Sequence, residues 1–315
     1  MLSFCVIKVA DDPNERPDRP TGGPPDRPRG LSAHDLGMLV VCLIWGVNFS
    51  VTKLAIGQMP ALPFTAIRFT LASLLLWLVL RTLEGPAELP HAAVRRLVVL
   101  GVVGNTLYQL AFVLGLAHTT ATNSSLIIAT VPTVVAVFAG VLGIEQITRR
   151  MWTGIALGTI GVVLVIATSG VEFSSATLLG DLLTVLGVLC WAGYTVGLRR
   201  LPADISPLRV TMVTTVAGTP GLVLAGLPGM ARMTWSAVPG TAWVALIYAT
   251  LFSLVVAYIL WNRSVQAVGG TRTAIYMCLT PLVAVVAAWL LLGEHAQPLQ
   301  GIGAVLIVAG VLLTR

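Results

Sequence analysis

Residues 122–161, TNSSLIIATVPTVVAVFAGVLGIEQITRRMWTGIALGTIG, and residues 271–310, TRTAIYMCLTPLVAVVAAWLLLGEHAQPLQGIGAVLIVAG, carry the same pattern twice. At a shift of 149, Thr122, Pro132, Glu145, Gly154 and Gly161 recur as Thr271, Pro281, Glu294, Gly303 and Gly310. At a shift of 146, Asp35 and Leu43-Ile44-Trp45 recur, with one substitution, as Asp181 and Leu189-Cys190-Trp191. The chain is built from two versions of one unit, and both versions are dominated by apolar residues.

Composition says where such a unit lives. Of 315 residues, 56% are hydrophobic and 10% charged, and mean hydropathy is +0.90. These values exclude a water-soluble fold and indicate a polytopic membrane protein. Eleven of the thirty-two charged residues fall in the first 35 positions. Beyond them, the longest stretch between apolar runs is about sixteen residues, Arg81 to Arg96, well short of the ~50 residues of a small catalytic or nucleotide-binding domain. Any activity must lie among the spans. The two lysines, Lys8 and Lys53, belong to no Gly-rich phosphate loop, so no ATP motor is encoded. Four cysteines without a CxxC and four histidines isolated in sequence predict no metal site and no cofactor.

Ten apolar helices are expected, at about 36–56, 63–80, 97–117, 122–142, 151–168, 178–198, 207–227, 241–262, 271–292 and 299–314. Even-numbered connections plus the C-terminus carry eleven Lys and Arg, odd-numbered connections two, and the N-terminal tail five. The positive-inside rule then puts both termini in the cytoplasm of a multi-pass protein of the inner or plasma membrane. It also explains the net charge of +6 through lipid orientation, with no nucleic acid involved. Residues 1–35, rich in proline and mixed charge, read as a disordered cytosolic tail. Residues 36–168 and 178–315 form two five-helix repeats, and because five is odd the second is inverted in the membrane. Inverted repeats are the plan of many secondary transporters, whose substrate site lies near the midplane at the pseudo-twofold axis.

The motifs also resemble a known family. GDLLTVLGVLCWAGYTVGLRR at 180–200, Pro132 through Glu145 to GTIGVVLVI, and LTPLVAVVAAWLLLGEHAQPLQGIGAVLIVAGVLL at 279–313 are similar to the EamA-type drug/metabolite transporter superfamily over residues 36–315. The resemblance implies an all-α integral membrane protein of ten helices in two inverted five-helix repeats, a central cavity, and export or exchange of small metabolites. One departure is that the family's Gly-Glu pair stands as Gly293-Glu294 in the second half but as Ile144-Glu145 in the first.

Several polar residues inside the spans are candidates for substrate contact. Arg68 is the only charge well inside an apolar run, either holding an anionic substrate group or snorkelling to the headgroups. Tyr108, Tyr194, Tyr258 and Tyr276, with Asn48, Asn105, Gln109 and Asn262, either line a cavity or hydrogen-bond between helices. Gln109 matches Tyr258 under the 149-residue shift. Pro132 and Pro281 are candidate hinges, since each removes a backbone bond within its span. Trp45 and Trp191 occupy equivalent points as packing wedges or aromatic walls. Asn123, Ser124 and Ser125, like Thr271, Arg272 and Thr273, open a span and either cap it or offer amides to an anion. Glu145 and Glu294, at helix exits on opposite faces, read as structural, and no carboxylate lies deep in a span to serve as a proton relay. Gly154 and Gly158 form a GxxxG that packs helices within the chain or mediates a homodimer.

These features describe a secondary transporter, not an enzyme, moving a small metabolite such as an amino acid by efflux or exchange. Its partners are that small molecule and the lipid bilayer. The alternatives are an integral-membrane enzyme acting on lipid, which would need a cluster of Asp, Glu, His or Lys at one face, or a channel.

Overall fold

A computed structural model describes residues 32–86, 89–119, 124, 127–167, 177–283 and 298–314. Among them, all regular structure is helical. The helices are α1 (Ala33–Ile56), α2 (Ala61–Leu83), α3 (His91–His118), α4 (Val131–Val141), α5 (Arg149–Ala167), α6 (Leu178–Leu198), α7 (Pro207–Arg232), α8 (Gly240–Val268), α9 and α10 (Pro298–Thr314). α9 runs as an α-helix over Gly270–Ala274 and a 3-10 helix over Ile275–Leu279, then continues to residue 283. A helix thus stands at each of the ten expected positions in order, the fourth described from residue 131 and the ninth to residue 283. Glu294, Asn123, Ser125 and most of the tail lie outside the described residues.

The α2, α3, α6, α7 and α8 helices each have the length and apolar composition to cross a ~30 Å hydrocarbon core. α3 and α8 run longer than their apolar stretches. Each starts right after a proline, Pro90 and Pro239, which holds the N-cap position with a non-helical ψ. The first turns of α3 then carry exposed Arg95 and Arg96. α1 opens on a reciprocal cap, in which the Asp35 amide donates to Ser32 Oγ at 3.2 Å and Asp35 Oδ2 accepts from the Ser32 amide at 2.8 Å.

Packing follows the repeat. The most extensive helix pairs, α5 with α10 and α2 with α7, join equivalent helices of the two halves. α3 packs on α6 as α8 packs on α1, and α4 meets α9. Alternate connections put the start of α1, the α4–α5 and α6–α7 connections and the α8–α9 turn at one end of the bundle, here the proximal end.

The α5–α10 pair shows why glycine recurs there. A Cβ on Gly161 would lie 2.6 Å from the Gly303 carbonyl oxygen, and one on Gly310 would lie 2.5 Å from that of Gly154. Without side chains the backbones approach closely, which supplies dispersion contacts where lipid offers no hydrophobic drive. Gly158 faces Cys278 of the α9 segment, so the GxxxG packs helices within one chain. Gly161→Leu is expected to destabilise the protein by about 1–3 kcal/mol through overpacking. Gly301→Leu, where a Cβ meets nothing within 4 Å, is expected to melt like wild type; equal melting of both variants in detergent would contradict this packing.

Candidate functional site

Two irregular turns build the centre. α3 contains a π-helical stretch at Val102–Leu107 and α8 one at Ala249–Val256. The 149-residue shift maps 102–107 onto 251–256, so the two stretches are repeat counterparts. Single-turn π segments are frequently found at functional sites. Each ends directly before a candidate pair, Tyr108-Gln109 in α3 and Ala257-Tyr258 in α8. The Tyr258 hydroxyl lies beside the Gln109 side chain, and the 149-residue shift that equates the two residues puts the pseudo-twofold axis between them.

Arg68 joins them from α2. Its Nη2 donates to Gln109 Oε1 at 2.8 Å, and its guanidinium carbon lies 5.3 Å from the Phe64 ring centroid and 5.7 Å from that of Phe69. It is only 3% exposed, so its head lies inside the bundle beside Gln109. Among the described residues the ion pairs are Arg199–Glu145 and Arg209–Glu84, and Arg68 Nε has no hydrogen-bond partner. A buried cation with no neutralising carboxylate is costly.

Around this polar centre stands a cluster of rings with Trp191 of α6 as its hub. Ring centroids of Tyr108, Trp261, Tyr194, Tyr258 and Trp45 lie 5.0, 5.3, 5.4, 5.6 and 5.8 Å from that of Trp191. Tilted and edge contacts at these separations are favoured by the ring quadrupoles. Trp45 Nε1 donates to the Ser253 carbonyl, 3.2 Å away in the α8 π turn. Trp191 Nε1 and Trp261 Nε1 have no acceptor among the described residues.

On the side of Trp191 away from the proximal end lies a small apolar pocket, with room for about one water molecule. Tyr108, Phe112, Val131, Val188, Trp191 and Met277 are among its walls. On the proximal side lies a buried hydrogen-bonded layer. The Tyr194 hydroxyl donates to Asn262 Oδ1 at 2.9 Å, and Asn262 Nδ2 donates to Thr211 Oγ1 at 2.8 Å, all three residues being buried.

The candidates therefore separate into groups. Arg68, Tyr108, Gln109 and Tyr258 meet at the axis, while Tyr194 and Asn262 form the layer beneath. Asn48 lies three residues beyond Trp45 on α1, with its Oδ1 buried and unpartnered among the described residues. Asn105 serves helix packing, its Nδ2 donating to the Thr214 carbonyl of α7 at 2.8 Å. Tyr276 stands apart from the cluster. Its hydroxyl donates to Asp35 Oδ1 at the start of α1 and ties the two halves together. Pro132 lies in the first turn of α4 after a turn at Ala129–Thr130, and Pro281 follows the 3-10 stretch of α9. Pro132 therefore removes no intrahelical bond, contrary to the expectation of a proline inside its span, because a first-turn N–H has no partner in its own helix; Pro281 stands two residues after the 3-10 stretch.

Sequence reasoning missed Trp261, Phe112 and Met277. A usable signal existed for two of them: Trp261 is the 149-residue counterpart of Phe112, and both fall one turn after the Gln109/Tyr258 pair. Among the described residues no group of three or more His, Cys, Asp or Glu comes together to hold a metal.

A ten-helix bundle with two inverted halves and a polar, aromatic centre at their axis is the architecture of a membrane transporter. The EamA-like transporter family matches residues 33–167 and 178–315, and the chain belongs to that family. It is 30% identical over 279 residues to the uncharacterized transporter YyaM of Bacillus subtilis (strain 168), covering 87% of this chain and 91% of that one. It is 26% identical over 288 residues to a probable terminal-alkyne amino-acid exporter of Streptantibioticus cattleyicolor, covering 90% and 93%. A solved structure described as "Crystal structure of protein" shares the fold, with a TM-score of 0.75 at 17% identity over 90% of this chain and 98% of that one.

Proposed function

We propose that this multi-pass membrane protein is a secondary transporter that exports or exchanges a small amphipathic carboxylate of the amino-acid kind by alternating access, with both termini in the cytoplasm. The observation that carries the reading is the buried Arg68 guanidinium, which among the described residues has no carboxylate partner and leaves Nε without a hydrogen bond at the repeat axis. Among the described residues, Arg68 Nε and, in the adjoining ring cluster, Trp191 Nε1 and Trp261 Nε1 are buried N–H donors without a hydrogen-bond partner. Their complement is an acceptor, and an anion relieves the desolvation cost of the guanidinium best. The apolar walls beside Trp191 are compatible with an apolar side group on the ligand. The exporter relative, named for an amino-acid substrate, agrees with this class.

The test is a thermal-shift screen of the purified protein against small carboxylates, amines and neutral metabolites. A ligand that binds only the folded state raises its melting temperature, by an amount equivalent to about 2.7 kcal/mol at a hundredfold excess over Kd. Carboxylates are expected to stabilise and the corresponding esters or amines are not; stabilisation by amines alone would overturn the assignment. Tyr108→Phe and Gln109→Leu are expected to lower counterflow of the stabilising ligand in proteoliposomes by at least tenfold at normal yield of folded protein. Parallel loss of fold and flux would instead make these residues packing elements.

A further inference from the structure

At the proximal end, a carboxylate from one repeat is seated on the backbone of the other. Glu145 lies on the α4–α5 connection of the first repeat. Its Oε1 accepts the Gly270 amide at 2.5 Å, and its Oε2 accepts the Thr271 amide at 3.2 Å. Those amides open α9 and have no partner within their own helix. Arg199, at the end of α6, approaches Oε1 with Nε at 3.8 Å, and its Nη1 donates to the Gln266 carbonyl at 2.7 Å.

The seat is made by two glycines. Gly269 turns the chain from α8 into α9 with a φ of +98°, in the left-handed region that favours glycine. A Cβ there would lie 2.8 Å from Glu145 Oε1. The residue in the N-cap position of α9 thus has no side chain with which to cap its own helix. The cap comes from the opposite repeat, so the first turn of α9 is satisfied only while the two repeats are docked at this end. Directly behind the seat is Thr195 of α6, fully buried, with its Cγ2 3.2 Å from where a Gly270 Cβ would stand. Next comes the Tyr194–Asn262–Thr211 layer, and beyond it the Trp191 floor of the pocket.

We infer that Glu145 is the bolt of the proximal gate: its carboxylate, bridging Gly270, Thr271 and Arg199 across the repeat interface, holds α9 against the first repeat and closes the path from the site to that end. Release of this contact accompanies opening. A capping carboxylate that served only local helix stability would be met equally well from α9's own N-cap, which the sequence leaves as glycine. Glu145 is a positioning residue, acting through α9.

The test reads access directly and needs no substrate. In a background with the four native cysteines replaced, Thr195→Cys reports the sealed proximal side and Thr184→Cys, in the pocket wall, reports the other side. Each is labelled with a membrane-impermeant trimethylammonium methanethiosulfonate in right-side-out and inverted vesicles. Glu145→Gln is expected to speed Thr195→Cys labelling from the face bearing the α4–α5 connection by at least tenfold, and to slow Thr184→Cys labelling from the opposite face. Glu145→Asp is expected to lie between Gln and wild type. Faster labelling of both reporters would mean general loosening and would overturn the gate, as would labelling within twofold of wild type. Should Glu145→Gln fail to fold, Arg199→Gln, which weakens the same contact, decides the matter: an unchanged Thr195→Cys rate sinks the inference. From the transporter reading the gate takes only the need for access at both ends. A failed carboxylate screen leaves it standing, and unchanged labelling leaves the substrate class standing.

Discussion

Arg68→Lys is expected to fold normally and to lower counterflow of the stabilising carboxylate by about ten- to a hundredfold. Lysine keeps the charge but loses the planar fork of donors that meets a carboxylate with two parallel bonds. Hydrogen bonds to charged groups contribute about 1.5–3 kcal/mol, and 1.4 kcal/mol is a factor of ten. The Gln109 contact at 2.8 Å is reachable by either side chain, so it does not account for the difference. Flux within twofold of wild type, normalised to folded protein, would remove Arg68 from the site. A companion variant separates the stability term. Arg68→Met removes a buried cation that has no carboxylate partner among the described residues, so it is expected to melt at or above the wild-type temperature while losing carboxylate binding. A lower melting temperature for Met together with wild-type flux for Lys would make Arg68 a packing element.

Trp191→Ala carries the largest expected stability effect, a loss of about 3–5 kcal/mol. Five rings lean on this indole at centroid distances of 5.0 to 5.8 Å, and truncation withdraws all of those contacts together. Between helices in lipid the loss is one of dispersion and ring electrostatics, not of water exclusion. Trp191→Phe keeps most of the ring contacts and is expected to recover more than half of the loss. The measurement is the midpoint of denaturant-induced unfolding in mixed micelles for the three proteins. An Ala variant as stable as wild type would show that the rings are held by their own helices and that Trp191 is no hub.

The helices, their number and their order were legible because each is written locally, as a run of apolar residues between charged connections. The inverted plan was legible because Pro132, Glu145 and Gly154 recur in register as Pro281, Glu294 and Gly303. At the site, the shift that pairs Gln109 with Tyr258 anticipated their meeting at the axis. Tyr276 shows where such reading ends. It is as aromatic and as deeply placed as Tyr258, yet it faces Asp35, because the direction of a side chain depends on the rotation of its helix in the bundle. The position of Glu145 at a helix exit indicates only a structural role. Its partners, two backbone amides 125 and 126 residues away, leave no mark in a pattern of side chains. The π turns are invisible for the same reason, since a widened turn changes hydrogen-bond register but not hydropathy.

Those two π turns make the protein unusually sensitive to a kind of change that substitution never samples. In an α-helix each residue advances about 100° around the axis, and a π turn absorbs one residue so that everything after it keeps its azimuth. Loss of a single codon within Val102–Leu107 would leave the hydrophobic length, the charge alternation and the count of spans intact, and would let the turn close to α geometry with Tyr108 and Gln109 still at the axis. A gained codon has no second wide turn to absorb it and would swing them away by about a quarter turn. Across descendants of this gene, gains in those two short windows, VVGNTL and ATLFSLVV, should therefore be rarer than losses.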